Sequence, residues 1–286
     1  MRRIVSVFLS AILLSGCAPA TSATPFSTVT STPSATIEEM NDNSVYTAMS
    51  YNILSWDINT KRVERVIKRI KRVSPDLLGV QESTRAWMNH LDNALKDEYI
   101  SVSMPSDSPD DPGGSCGIFF KRDKFDLLDS GTYWLSRTPD VPSMLPQTKW
   151  NRVLVYALLK RKSDSGILLF TSSHIDSDDE MVGIYLDFIA SHSDKTVISV
   201  GDFNIRKGSR LYKTITSTNL NDASVIATNT MKEATVAGSA DKGNILDYFF
   251  VTKNALEVDS YEVLTDQIDG DYPSDHNAIV MKYRLK

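Results

Sequence analysis

The amino-acid sequence predicts an α/β fold in which a mixed system of β-sheets is covered by helices. Short apolar runs of strand-like pattern recur along the chain, and longer segments carry apolar residues at the spacing of an amphipathic helix. Strand-like runs outnumber helical segments, which favours a mixed sheet system over a simple Rossmann order. The composition, 41% hydrophobic and 23% charged over 286 residues, is typical of a folded globular protein.

The first residues are predicted to be an export signal rather than part of the fold. Arg2 and Arg3 precede an apolar stretch, Ile4–Leu14, that is too short to span a bilayer, and "LSGC" follows. This pattern resembles a bacterial lipoprotein signal, in which Cys17 is lipidated and becomes the new N-terminus; a plain secretory signal is the alternative. We therefore expect residues 1–16 to be removed. The exported protein would be lipid-anchored to a bacterial membrane and face the periplasm or the exterior.

The segment after the signal is predicted to be a disordered tether, and the folded domain is predicted at 45–286. Residues 17–44 are rich in Ser, Thr, Pro and Ala and lack apolar periodicity. Removal of Arg2 and Arg3 leaves 29 basic and 36 acidic side chains, a net charge of −7. That charge disfavours tight, salt-sensitive binding of long nucleic acid. It does not exclude a nuclease, because a metal ion can supply local positive charge.

Strands and helices can be placed along the domain from apolar periodicity. The strand-like runs are Val45–Ile53, Leu77–Gln81, Gly117–Phe120, Val153–Leu159, Ile167–Ser172, Thr196–Val200, Leu246–Val251 and Ala278–Tyr283. One helix is expected at Lys61–Val73 and a weaker one from about Thr84 to Lys96. Another carries Met181, Ile184, Tyr185, Phe188 and Ile189 on one face and opens with the capping box Ser177–Glu180.

The helix at Lys61–Val73 is conspicuously basic on the side opposite its apolar face. Its cations are Lys61, Arg62, Arg65, Lys68, Arg69, Lys71 and Arg72. Contact with anionic lipid or nucleic acid is one interpretation, and a solvated outer face is the simpler one that we favour.

Polar side chains cluster at the points where the predicted strands begin or end. They are Asn52, Glu82, His174, Asp202, Asn204, Asp247, Asp275 and His276. Strand ends are where α/β proteins usually gather their chemistry, so this recurrence indicates one site. Two of the four histidines of the chain belong to the set.

The residue types in this set point to a divalent cation and to proton transfer. Carboxylate and amide oxygens suit Mg²⁺, Mn²⁺ or Ca²⁺. The sequence has no C-x-x-C or H-E-x-x-H pattern of a zinc site. Two histidines and Asp247 can move and orient protons. Together these groups suit hydrolysis of a phosphate ester, which needs neutralised phosphoryl oxygens and an activated water.

The ordered motifs "SYNI", "VQE", "SSHID", "GDFN", "LDYFFV" and "SDH" resemble those of the endonuclease/exonuclease/phosphatase superfamily. The stretch "GIFFKRDKFDLLDSGTYWLSRTPD" further resembles the small bacterial branch, and the likeness extends over about Val45 to Lys286. The resemblance implies a four-layer α/β sandwich, in which two packed mixed β-sheets are flanked by helices as in deoxyribonucleases. It also implies a divalent-metal-dependent phosphoric ester hydrolase.

The resemblance implies a role for each residue of the set. Glu82 would bind the metal, Mg²⁺ or alternatively Mn²⁺ or Ca²⁺, with Asn52 close by, and Asp275 would hold the metal region or the backbone of His276. Asp202 would orient or deprotonate water, and Asn204 would position water or phosphate. His276, paired with Asp247, would touch the phosphate, and His174 would assist the leaving group or the phosphate from the other side. Arg152 would contact phosphate, unless it forms only a structural ion pair.

Two departures from the family pattern concern His174. Relatives of the small bacterial type read T-H-x-D-H, but here Ser177 stands where the second histidine is expected. Relatives also carry G-E before the "GIFF"-like strand, where this chain has Gly113-Gly114. If that glutamate normally orients the first histidine, His174 lacks its usual partner.

The function predicted from the sequence is hydrolysis of a phosphodiester or phosphomonoester by an enzyme tethered to the cell envelope. The acidic domain favours a small or lipid phosphate ester. A non-specific extracellular or periplasmic nuclease, with nucleic acid as substrate only, is one alternative. A non-catalytic surface binding protein on the same fold is another. We expect a monomer, attached to the membrane through Cys17.

Overall fold

The computed structural model describes residues 44–104, 115–231, 233–237 and 243–286. These residues belong to one compact unit. The predicted signal and lipidated Cys17, the tether up to residue 43, and the Gly113-Gly114 departure lie outside the described residues.

Thirteen strands are present in the described part of the chain. They are β1 (Tyr46–Asn52), β2 (Leu77–Gln81), β3 (Tyr99–Met104), β4 (Cys116–Lys121), β5 (Phe125–Trp134), β6 (Val153–Arg161), β7 (Ile167–His174), β8 (Thr196–Asp202), β9 (Leu220–Asp222), β10 (Asn229–Thr230), β11 (Asp247–Thr252), β12 (Leu256–Leu264) and β13 (Ala278–Leu285). All eight predicted strand-like runs are strands, with ends that differ by up to two residues.

Five helices accompany these strands in the described residues. They are α1 (Thr60–Val73), α2 (Arg85–Leu95), α3 (Asp179–Ser191), α4 (Arg210–Ser217) and α5 (Ala223–Ile226). The three predicted helices are confirmed as α1, α2 and α3. The cap of α3 differs from the Ser177 start of the expected capping box, because the Asp178 side chain accepts the Met181 N–H instead.

The strands form two mixed sheets. One has the order β10-β12-β13-β1-β2-β4-β3. The other has the order β5-β6-β7-β8-β11-β9 and is called the β5–β9 sheet after its two outer strands. In the first, β1 pairs parallel to β2 and antiparallel to β13; in the second, β7 pairs parallel to β8, and β8 antiparallel to β11. Mixed pairing on this scale excludes a simple parallel Rossmann sheet.

Three apolar clusters divide the domain into four layers. The first joins the facing sides of the two sheets, with residues such as Phe120, Phe170 and Ile279. A second packs α3 and α4 on the outer side of the β5–β9 sheet, and a third packs α1 and α2 on the outer side of the other sheet. The predicted four-layer α/β sandwich is therefore confirmed.

The basic side of α1 is largely neutralised by the acidic segment that follows β12. Arg69 and Arg72 pair with Asp266, Lys68 pairs with Asp269, and Arg65 pairs with Asp271. These ion pairs explain the charge of the helix without lipid or nucleic acid. Within the described residues, no helix has the length and apolarity to cross a bilayer.

Candidate active site

Strand register brings three of the predicted residues into one row at an edge of the β5–β9 sheet. His174 at the end of β7 is paired with Asp202 at the end of β8. Asp202 is in turn paired with Asp247, the first residue of β11. The row forms because β8 runs parallel to β7 and antiparallel to β11. The C-terminal ends of β7 and β8 therefore lie beside the start of β11.

Backbone conformations that L-residues rarely adopt turn the chain at this edge. Gly201 has a φ of 154°, and a Cβ there would lie 2.0 Å from the Ser173 carbonyl oxygen. Asn204 has a left-handed φ of 49°, and Glu82 has one of 57°. Such conformations cost free energy and concentrate at functional sites. The glycine of "GDFN" is thus required by the close approach of β7.

Asp202 is the centre of the site, because its carboxylate lies between two imidazoles. Its Oδ2 is 3.4 Å from His174 Nε2 and 3.6 Å from His276 Nε2. Oδ2 also accepts from Asn52 Nδ2 at 3.0 Å, and Oδ1 accepts from the Asn204 N–H at 2.9 Å. Burial raises the pKa of Asp202 to about 7, although the His276 cation opposes the rise. A carboxylate with this pKa can accept a proton near neutral pH.

His276 forms the predicted pair with Asp247, with 2.9 Å between Nδ1 and Oδ2. Burial disfavours the charged ring, but the carboxylates of Asp247 and Asp202 outweigh it and raise the pKa of His276 to about 10. His276 is therefore a cation at neutral pH, with Nδ1–H directed at Asp247. Asp247 itself is 2% exposed.

His174 lies on the other side of Asp202 and is neutral. Burial, with Arg152 and His276 adding to it, lowers the pKa of His174 well below its usual 6.5. The Asn204 amide donates to Nε2 at 3.1 Å, so the ring proton belongs on Nδ1. That Nδ1 has no hydrogen-bond partner among the described residues. The residues that would replace the family glutamate, Gly113 and Gly114, are outside that set.

The other sheet contributes the carboxylate of Glu82, which follows β2. Its Oε1 accepts from Asn52 Nδ2 at 3.1 Å, and its Oε2 accepts from the Ser55 N–H at 2.9 Å and from Ser55 Oγ at 2.8 Å. Asn52 is fully buried and donates to Asp202 with the same amide. The Asn52 side chain therefore connects the two sheets at the site.

Asp275 completes this corner and lies close enough to Glu82 for the two charges to interact. Burial raises the pKa of Asp275, with His276 opposing and Glu82 contributing to the rise. In the described part of the chain, neither Glu82 nor Asp275 forms an ion pair with Lys or Arg. Two neighbouring carboxylates that are not paired with Lys or Arg in this part of the chain fit a hard divalent ion.

A second group of ligand-type side chains fits a cation less well. Asp202, Asp247 and His276 offer atoms within 4.8 Å of one another. A metal ligand must be a neutral imidazole, whereas His276 is protonated and its Nδ1 is bonded to Asp247. We therefore interpret this group as one for proton transfer and charge stabilisation.

Arg152 forms the ion pair that was one of its two predicted roles. Its Nε and one Nη lie 2.9 Å and 2.6 Å from Asp176 Oδ1, and the side chain is 6% exposed. Asp176 belongs to the "SSHID" motif two residues after His174, so the pair fixes this end of β7. A direct contact of Arg152 with phosphate stays a prediction.

Three residues that support the site were not predicted from the sequence. Ser55 holds Glu82, as described above. Ser274 Oγ donates to the Asn52 carbonyl at 2.7 Å and accepts from the His276 N–H. Thr235 Oγ1 accepts from the Leu246 and Asp247 N–H groups, and its carbonyl accepts from Asn277. Only Ser274 had a sequence signal, since it directly precedes Asp275-His276.

Two packed mixed sheets with carboxylates, amides and a charged histidine at their strand ends define a phosphoesterase and nuclease class of fold. The model of the Endonuclease/Exonuclease/phosphatase family matches residues 49–276, and the chain belongs to that family. Membership of this family supports the interpretation of the chain as a phosphoric ester hydrolase.

Solved structures agree with this assignment. An endonuclease/exonuclease/phosphatase from Bacteroides vulgatus is 25% identical, with a TM-score of 0.74 over 85% of this chain and 100% of that one. The mannosyl-6-phosphatase of Bacteroides thetaiotaomicron is 23% identical, with a TM-score of 0.73 over 84% and 99%. D. rerio TDP2, complexed with a single-strand DNA product, is 18% identical, with a TM-score of 0.67 over 85% and 100%. No curated protein matches the sequence significantly.

Proposed function

We propose that this protein hydrolyses a phosphate ester with a water molecule activated at Asp202 and with the help of a divalent cation. The observation that carries the proposal is the position of the Asp202 carboxylate between two imidazoles, one charged and one neutral. Asp202, with a pKa of about 7, would take the proton of the attacking water. His276, held by Asp247, would place its positive charge against a phosphoryl oxygen.

The remaining residues of the site would bind and orient the phosphate. Asn204 and His174 are hydrogen-bonded to each other and lie beside Asp202, where they can position phosphate or water. Glu82 and Asp275 would hold the cation, Mg²⁺ or alternatively Mn²⁺ or Ca²⁺, with Asn52 orienting Glu82. When bound, such an ion supplies charge neutralisation on the phosphoryl or leaving oxygen.

A cavity beside the site supports a small substrate rather than a long polyanion. It measures about 310 Å³ and is lined in part by Asp57, Asp271, Asp275 and Tyr272. Its two described arginines are already engaged: Arg65 pairs with Asp271 at 2.8 Å, and Arg62 is bonded to backbone carbonyls. The described lining thus offers acids and an aromatic ring, which suit the hydroxyl groups of a sugar or polyol better than further phosphates.

The proposal is tested by hydrolysis assays with and without metal. Purified protein and His276→Ala would be given a sugar phosphate, bis-p-nitrophenyl phosphate, sphingomyelin and plasmid DNA, each with Mg²⁺, Mn²⁺ or EDTA. We expect turnover of a small or lipid ester that requires both the metal and His276. Cleavage of DNA alone would favour the nuclease alternative. Folded protein that binds metal and turns over none of these substrates would favour a surface binding protein.

We also propose that the protein is exported and anchored to the membrane through lipid on Cys17. The support is the basic, apolar and "LSGC" order of the first 17 residues. Cys17→Ser should abolish incorporation of labelled fatty acid and release the protein from the membrane fraction. Release of unlabelled wild-type protein into the medium would instead identify a plain secretory signal.

A further inference from the structure

Arg62, near the start of α1, is a buried arginine whose donors all bind backbone carbonyls. It is 6% exposed. Nε donates to the Asp57 carbonyl at 2.8 Å. One Nη donates to Ile53 at 2.7 Å and to Pro273 at 3.2 Å, and the other donates to Leu54 at 2.6 Å and to Trp56. These five bonds use all five N–H donors of a guanidinium.

Four of these carbonyls belong to the loop that holds Glu82. Within this loop, Leu54 and Asp57 have left-handed backbones, with φ of 57° and 54°. Such conformations persist only where surrounding contacts impose them. Between them lies Ser55, whose N–H and hydroxyl both donate to Glu82 Oε2. The guanidinium therefore imposes the loop shape that orients the Glu82 carboxylate.

The fifth carbonyl belongs to the segment that carries the other half of the site. Pro273 directly precedes Ser274, which is bonded to the Asn52 carbonyl and to the His276 N–H. Asp275 and His276 follow. One guanidinium thus holds the Glu82 loop and the Asp275-His276 corner at a fixed separation.

The geometry requires an arginine rather than another cation. The guanidinium lies 4.8 Å from the centre of the Trp87 ring, which fixes its plane. A lysine has three donors on one nitrogen and cannot reach carbonyls spread around a planar fork.

We propose that Arg62 is a positioning residue that sets the mutual placement of Glu82 and Asp275-His276. The inference rests on the proposed function, because a cation between Glu82 and Asp275 would respond to that placement. It assigns a role in the site to the basic helix, whose other arginines pair with the acidic segment after β12.

Arg69 provides a matched control on the same helix. It is 2% exposed and binds both the carboxylate and the carbonyl of Asp266. None of its described contacts is with the loops of the site. Arg69→Lys should therefore test the effect of changing a buried arginine of α1 without moving Glu82 or His276.

The test compares the full chain as wild type, Arg62→Lys and Arg69→Lys after removal of metal with EDTA. Mn²⁺ affinity is measured by electron paramagnetic resonance, and the His276 imidazole signals are recorded by NMR in the metal-free state. We expect Arg62→Lys to bind Mn²⁺ about 10- to 100-fold more weakly and to shift the His276 signals. Arg69→Lys should match wild type in both measurements.

Wild-type affinity and an unshifted His276 signal in Arg62→Lys would overturn the inference. If wild type itself binds no Mn²⁺, the proposed metal dependence fails, and the metal-free His276 signal alone decides the role of Arg62. Arg62→Gln replaces Arg62→Lys if the latter does not fold. Failure of both to fold, beside a folded Arg69→Lys, would assign Arg62 a structural role and overturn positioning.

Discussion

His276 and His174 lie on opposite sides of the Asp202 carboxylate, and yet one ring is a cation and the other is neutral. His174 is buried and the His276 side chain is 11% exposed, and their Nε2 atoms are 3.4 Å and 3.6 Å from Asp202 Oδ2. His276 also has Asp247 at 2.9 Å and is held as a cation. His174 accepts from the Asn204 amide, and burial, with the charge of Arg152 adding to it, holds the ring neutral.

The comparison shows that burial lowers the pKa of both rings, and that the carboxylate of Asp247, present at His276 alone, decides the difference in charge. A carboxylate on Nδ1 holds the His276 imidazole as a fixed positive charge, whereas burial without such a carboxylate keeps the His174 imidazole a neutral hydrogen-bonding group. The site thus has one histidine suited to charge stabilisation and one suited to positioning. Substitutions around Asp202 can separate these two roles.

Asp202→Asn should have the largest effect, because it removes the group that the two histidines share. Loss of a general base lowers turnover by about 10²- to 10⁴-fold. The kcat on whichever ester the wild type hydrolyses is the measurement.

Asp222→Asn is the matched control for that change. Asp222 is also a buried aspartate at a strand end, bonded to Tyr212 at 2.8 Å and to Lys207 at 3.0 Å, and is not among the predicted site residues. It should lower the melting temperature while leaving kcat near the wild-type value. Equal losses of kcat in the two variants would contradict the role of Asp202 as a general base.

His276→Ala should lower kcat by about 10²- to 10³-fold, the usual cost of removing one preorganised group that stabilises developing charge. KM should change much less, because the charge acts mainly on the transition state. His276→Gln keeps a donor without the charge and should recover only part of the loss. Full recovery by glutamine would show that the positive charge is not required.

Asp247→Asn should convert His276 towards the state of His174. In wild type, the folded pKa of about 10 lies above the ordinary 6.5. The stabilisation that His276 contributes is therefore complete below pH 6.5 and is lost as the pH rises from 6.5 towards 10. In metal-free Asp247→Asn, the NMR titration of His276 should move to lower pH, and unfolding free energies should depend less on pH across that window. An unmoved titration would remove Asp247 as the cause.

Much of this site could be predicted because its main residues border strands with clear apolar patterns. Glu82 follows β2, and Asp202 ends β8, so the short, mostly apolar runs of these buried strands were enough to locate them. The row from His174 to Asp247 could not be derived, because it depends on which strands pair and in what register. Ser55 and Thr235 act through hydrogen bonds to distant residues and leave no local pattern.

The two long strands that were missed share a physical reason. Both β5 and β12 contain a β-bulge, between Leu127 and Asp129 and between Val258 and Ser260. A bulge inserts a residue and shifts the alternation of buried and exposed side chains. The apolar pattern therefore breaks within each strand, although the strand continues.

His174→Ala should have the smallest effect of these changes. A hydrogen bond between neutral groups makes a net contribution of about 0.5–1.5 kcal/mol, so turnover should fall by about tenfold at most. The ring stays neutral over the working range, because its pKa lies well below 6.5, and its removal should leave the pH profile of kcat unchanged in shape. His174→Gln places an amide near the position of Nε2, the atom that contacts Asn204 and Asp202, and should recover part of the loss. A loss as large as that of His276→Ala, or a pH profile that changes shape, would show that His174 transfers a proton.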